Sequence, residues 1–180
     1  MTLARGIAPL TVILIVALLA LGSVAGLAGT ALLGKAPECP SAAGIARSEK
    51  ELGDLLEKSG AVTVTDAEAT TIAQKYVAGK VDNARVCFTM GLANASGNIK
   101  LGSVTPSFYA SAGIDLSAST PKATNLNIKV GALPNVPVVS GQVEKLVTDL
   151  INENLAKITL QKKYWADFSP GSARVTSLAR

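Results

Sequence analysis

Histidine is absent from all 180 residues. That removes Ser-His-Asp and Cys-His nucleophile activation, imidazole acid–base work and most zinc geometries. Aromatic residues make up only 4% of the chain, with a single tryptophan. Two cysteines, Cys39 and Cys87, are too few for a tetrahedral metal site and form no C-x-x-C pair. Charged residues are scarce at 17%, and the net charge of +4 comes without the dense Lys/Arg cluster that marks a nucleic-acid footprint. The densest basic spot, Gln161–Lys163, reads as a solvated face that would at most favour anionic lipid headgroups. Isolated acids such as Asp115 and Asp167 have no partner in a recognisable catalytic setting. The expectation is a protein that is not an enzyme and needs no cofactor or metal.

What the chain does have is an uncharged run from Gly6 to Gly34, between Arg5 and Lys35. As a helix it would be about 43 Å long, against a hydrocarbon core of about 30 Å. Its first half, "LTVILIVALLAL", is strongly apolar, and its second half, "GSVAGLAGTALLG", is rich in small residues. That texture also suits a signal peptide, with Leu10–Leu21 as the apolar core and Ser23 and Ala25 before the cut. Apolar character persists to Leu33, which favours a retained transmembrane anchor. Both readings place the remainder outside the cytoplasm. Gly22 and Gly26 form a G-x-x-x-G spacing suited to helix packing in a membrane, although glycine enrichment is common in any such segment. The Arg5-Gly6 junction resembles a type IV pilin cleavage site, but the residue that should be glutamate is Thr11, and Pro37 and Pro40 would stop a continuing helix.

An exported setting makes a Cys39–Cys87 disulfide the default, with two reduced buried thiols as the alternative. The bridge would close a loop of about 48 residues and contribute roughly 3–4 kcal/mol in the chain-entropy model.

Residues 35–47 read as a linker, and residues 48–180 as one exported α+β domain. Ser48–Gly60 has the spacing of a short amphipathic helix, with Ser48 as N-cap and Leu52, Leu55 and Leu56 on its apolar side. Val62 and Val64 alternate as a brief strand. Thr65 and Glu68 form a capping box for a second helix that presents Ala69, Ile72, Ala73, Tyr76 and Val77 and stops at Gly79. The period then changes to two. "ARVCFTMGLA", "IKLGSV", "SFYASAGIDLSAS" and "ATNLNIKVGAL" read as strands of an antiparallel meander, with "NASGN" as a turn. Asn94-Ala95-Ser96 also matches a glycosylation sequon, which turn chemistry explains equally well. From Ser140, the residues Val143, Leu146, Val147, Leu150, Ile151, Leu155 and Ile158 form the longest helical stripe. "ARVTSLAR" would be the last strand. The expected fold is a curved antiparallel sheet packed on one long helix.

The pieces "VTVTDAEATTIAQKY", "ARVCFTMGLANASGNIKLG", "NLNIKVGALPNVPVV" and "LVTDLINENLAKI", with the pair Ile151-Asn152, resemble bacterial membrane-anchored domains of the tubular lipid-binding (TULIP-like) superfamily. The resemblance spans Val62–Arg180. It implies a bent sheet wrapped around a long helix, with an apolar groove for acyl chains beside Ile72, Tyr76, Leu146, Val147, Leu150 and Ile151. The same side chains would also suit a filled core.

Two functions follow as expectations. The first is a membrane-tethered, extracytoplasmic binder of lipid or another apolar ligand. The second is a structural or accessory subunit that packs against a membrane-protein partner through Gly22 and Gly26. The bilayer is the expected neighbour in both, and nucleic acid in neither.

Overall fold

The computed structural model describes residues 36–79, 81–99, 107–130 and 162–178, with Thr105, Ala156 and Leu160 as single positions. Nine elements follow in chain order: α1 (Glu49–Ser59), β1 (Ala61–Thr65), α2 (Asp66–Val77), β2 (Val81–Thr89), β3 (Leu92–Ile99), β4 (Ser107–Asp115), β5 (Lys122–Val130), β6 (Tyr164–Ser169) and β7 (Ser172–Ser177).

Both helices begin where the sequence demands. Ser48 caps α1 and Thr65 caps α2, each in a reciprocal box with Glu51 or Glu68, so orphan N–H groups at each start find acceptors. Gly60, at φ 73°, ends α1 in the left-handed conformation and donates to the Leu56 carbonyl. Leu52 and Leu56 on α1, and Ala69, Ile72, Ala73 and Val77 on α2, turn into the core.

The strands form two antiparallel sheets. β2-β3-β4-β5 is a meander of four, and β1-β7-β6 is a sheet of three. In the small sheet Val62 pairs with Val175 and Val64 with Ala173, joining the start of the domain to its end. Crossing the mouth of the meander, the β6–β7 hairpin is held by three backbone bonds. Tyr164 donates to the Leu116 carbonyl, Gly91 to Phe168, and Gly171 to Phe88. Phe88 and Phe168 stack with ring centroids 5.8 Å apart, so the inner faces of both sheets share one core. Burying each ring contributes roughly 1.5–3 kcal/mol.

This corrects the expected architecture. Among the described residues the helices are α1 and α2, of 11 and 12 residues, and the β-structure is two sheets rather than one sheet wrapped on a long helix. The second sheet exists because Tyr164–Ser169 is itself a strand and β7 sits between it and β1. The segment Ser140–Ile158, where the long stripe lies, is outside the described residues except Ala156. No helix of the described residues is long and apolar enough to cross a membrane; the run Gly6–Gly34 lies outside them.

A second correction concerns Asn94–Asn98. These residues are not a turn but lie inside β3, paired with β4 throughout and with β2 at every position but Gly97. The reversal comes earlier, at Met90-Gly91, where Gly91 supplies φ 73°. Within β3, Gly97 lies opposite Phe108, whose ring would stand 3.1 Å from a Cβ there; Val81 Cγ1 would be at 2.8 Å. A side chain at this position would collide with the core.

Candidate functional site

The meander has an inner apolar face and an outer polar one. On the outer face stand Arg85, Cys87 and Thr89 of β2, Asn94, Ser96 and Asn98 of β3, and Ser107, Tyr109 and Ser111 of β4, set side by side by the register. Crossing this face is the segment Ala36–Pro40, which serves as a strap. The Ala36 amide donates to Ser107 Oγ (2.7 Å), and the Cys39 amide donates to Ser96 Oγ (2.9 Å). Cys39 is bonded to Cys87, and Arg85 Nη1 donates to the Cys39 carbonyl (3.1 Å). Ala36 and Cys39 are buried, so this part of the expected linker is docked structure.

The strap is therefore fixed on three successive strands, and the disulfide is its covalent end. Beneath it, Asn94 is 1% exposed and fully occupied. Its amide nitrogen donates to the Cys87 carbonyl and to Thr89 Oγ1, while its oxygen accepts from the Tyr109 hydroxyl. Burial pushes the Tyr109 hydroxyl above its usual pKa, so it remains a donor. A buried, committed side chain is no glycosylation acceptor, and the sequon at Asn94 is a feature of packing.

At the strap's edge, Glu38, Asn83, Arg85, Ser96, Gly97 and Asn98 line a cleft of about 40 Å³, which is water-sized. Arg85 Nη1 lies 3.7 Å from Glu38 there. The cleft opens where β2 bulges between Asp82 and Arg85, with Asn83 at φ 52°. Among the described residues no group of three or more His, Cys, Asp or Glu could hold a metal ion.

Of the residues expected to line an apolar groove, the structure describes the surroundings of Ile72 alone. Ile72 is 1% exposed and closed within the common core. Tyr76 lies on α2, and its side chain is outside the description. Leu146, Val147, Leu150 and Ile151, together with Gly22 and Gly26, also lie outside the described residues.

Other groups emerged that the apolar pattern had concealed. Asp66, Thr70 and Gln74, four residues apart on α2, line up along the free edge of β2. Asp66 Oδ1 accepts the Phe88 amide, Thr70 Oγ1 engages both the amide and the carbonyl of Val86, and Gln74 donates to Ala84. Their spacing of four was visible in sequence, but the strand they serve was not. Trp165, the sole tryptophan, is 60% exposed on β6. No protein-family model, curated protein or solved structure matches this chain.

Proposed function

We propose that the chain is an extracytoplasmic accessory module held close against a membrane, with a structural or binding role in a larger assembly. The observation that carries this reading is the strap. Gly34 ends the apolar run and Ala36 is already hydrogen-bonded to Ser107, so the two Cα atoms are separated by no more than about 7 Å of chain. The disulfide and three hydrogen bonds then fix the strap across the sheet. A long flexible linker would let the domain wander, whereas a chain fastened to the sheet from Ala36 onward leaves little free length after the apolar run. A disulfide is also at home in an oxidising compartment.

The test uses the full chain expressed in membranes. Cys39 and Cys87 should resist alkylation until a reductant is added, the chain should stay with the membrane after alkaline extraction, and added protease should reach the domain only from the extracytoplasmic side. Two thiols that react without reductant, or a domain cleaved only from the cytoplasmic side, would refute the proposal.

A further inference from the structure

The outer face of the three-stranded sheet supports a second surface. Along β6, Lys163, Trp165 and Asp167 share one side, because Tyr164 and Phe168 turn inward. The register sets Trp165 beside Thr176, and Asp167 beside Arg174, which in turn lies beside Thr63 of β1. Lys162 and Lys163 are exposed at the edge, next to the half-exposed Leu178. Lys163 and Arg174 therefore share this side with one carboxylate and one large open indole, and Lys162 is exposed next to them. Among the described residues the indole's apolar neighbours are Leu178 and the small Ala61 beside Thr176, too little for the apolar centre of a stable protein interface.

Position matters as much as composition. β4 runs from Ser107, where the strap arrives, to Asp115, and Leu116 just beyond it accepts the Tyr164 amide. At about 3.3 Å per residue, Trp165 stands roughly 25–30 Å from the point where the apolar run meets the domain. On the membrane-proximal reading above, and in this step alone, that separation sets the face away from the point of attachment.

We infer that this face is a binding site for an acidic polysaccharide. The indole offers a flat platform for a sugar ring's C–H face, Asp167, Thr176 and Thr63 offer acceptors and donors for hydroxyl groups, and Arg174, Lys162 and Lys163 meet the carboxylates. Aromatic faces and guanidinium groups suit this combination of apolar contact with planar hydrogen bonding. Side chains set in rows along a strand fit a polymer that binds along its length.

Because Trp165 is the only tryptophan, its emission reports the site directly. With the full chain in neutral detergent, polygalacturonate should shift the emission to the blue in a saturable way, and neutral dextran should bind at least roughly tenfold more weakly. Trp165→Ala, followed by affinity electrophoresis, should lose binding roughly tenfold or more, the scale of an aromatic anchor, while the thermal midpoint stays unchanged. Arg174→Gln combined with Lys163→Gln should weaken binding and flatten its dependence on salt. No saturable shift with polygalacturonate, undiminished binding by Trp165→Ala, or a shift produced only by phosphatidylglycerol vesicles would overturn the assignment. The assay runs in detergent solution and does not depend on topology, so its failure is distinct from a failure of the membrane-proximal reading.

Discussion

Arg47 lies across the buried carboxylate of Glu68, donating to it from both Nε and Nη2, while Nη2 also reaches the Thr63 carbonyl at 2.7 Å. Glu68 is 2% exposed and accepts the Thr65 amide and hydroxyl as well. One pair thus joins the segment before α1, the edge of β1 and the start of α2. Burial alone would raise the Glu68 carboxyl, but the Arg47 and Thr65 donors outweigh it and hold it below the usual range. Replacing Arg47 with methionine strands that charge. We expect a loss of about 2 kcal/mol in urea unfolding, at the low side for a buried pair because Arg47 itself is 40% exposed. The sign with pH follows from the lowered carboxyl. Its contribution is complete above the unfolded value, near pH 4.3, and is lost as pH falls through the folded one. Glu68→Gln should remove that acid-side decline; an unchanged slope would contradict the pairing.

Asp66, two residues earlier on the same helix, should respond with the opposite sign. Burial raises its carboxyl, partly offset by the Phe88 amide it accepts. A raised acid binds its proton more tightly in the folded state, so its contribution is present below the unfolded value, near pH 3.9, and is lost as pH rises through the folded one. Asp66→Asn keeps an acceptor for Phe88 and has no charge to desolvate. Relative to the wild type, this variant should gain stability on going from pH 3.5 to pH 7, measured as the urea midpoint at each pH. A loss over that range would show that ionised Asp66 is favoured, contrary to the geometry.

Thr70 provides a test of edge protection. A free strand edge invites pairing with another chain, and here the side chains of α2 occupy it. Thr70→Val is nearly isosteric but leaves the Val86 amide and carbonyl without their partner. The expected cost is about 1–3 kcal/mol, with faster hydrogen exchange at Val86 and concentration-dependent association on gel filtration. Unchanged exchange at Val86 would mean the contact is incidental.

Local signals carried well from sequence to fold, and non-local ones did not. The capping boxes Ser48/Glu51 and Thr65/Glu68 depend on residues three apart, and Thr65/Glu68 was legible for that reason. The antiparallel order of the meander was legible in part, because each strand pairs with its neighbour in sequence, but its first hairpin turns at Met90-Gly91 and not at Asn94–Asn98. The pairing of Val62 with Val175 spans most of the domain and leaves no local trace, which is why the second sheet was not expected. Composition also misled at Asn94–Asn98. Asn, Ser and Gly normally signal a turn, yet Asn94 and Ser96 serve a buried polar network and Gly97 makes room for Phe108. Ile72 had the right period for a groove or a core, and periodicity cannot tell these apart.

Two asparagines carry the sheet's bulges. Asn83 and Asn125 both adopt φ 52°, and each lies where its strand takes one residue more than its partner. Asparagine tolerates this left-handed conformation better than other residues with a side chain, and glycine tolerates it best. Asn125→Ala should lower stability by about 1 kcal/mol, with Asn125→Gly close to neutral, as read from denaturant midpoints. If alanine is as stable as asparagine, the bulge does not hold its left-handed residue in solution.

The strap makes a claim about which parts of the fold depend on the disulfide. The cores of both sheets are built from β1 to β7 with α1 and α2, and none of those apolar contacts requires Ala36–Pro40. Reduction should therefore release the strap without dissolving the domain. We expect a loss of about 3–4 kcal/mol, because the bond closes a loop across 48 positions and constrains the unfolded chain. The amides of Ala36 and Cys39, donors to Ser107 and Ser96, should lose exchange protection, while Val86 and Phe88, held by α2, should keep theirs. Cys39→Ser with Cys87→Ser should reproduce that pattern without a reductant. Equal loss of protection at all four amides would show that strap and meander unfold together, and the domain could then not be described as a finished sheet with a fastened tether.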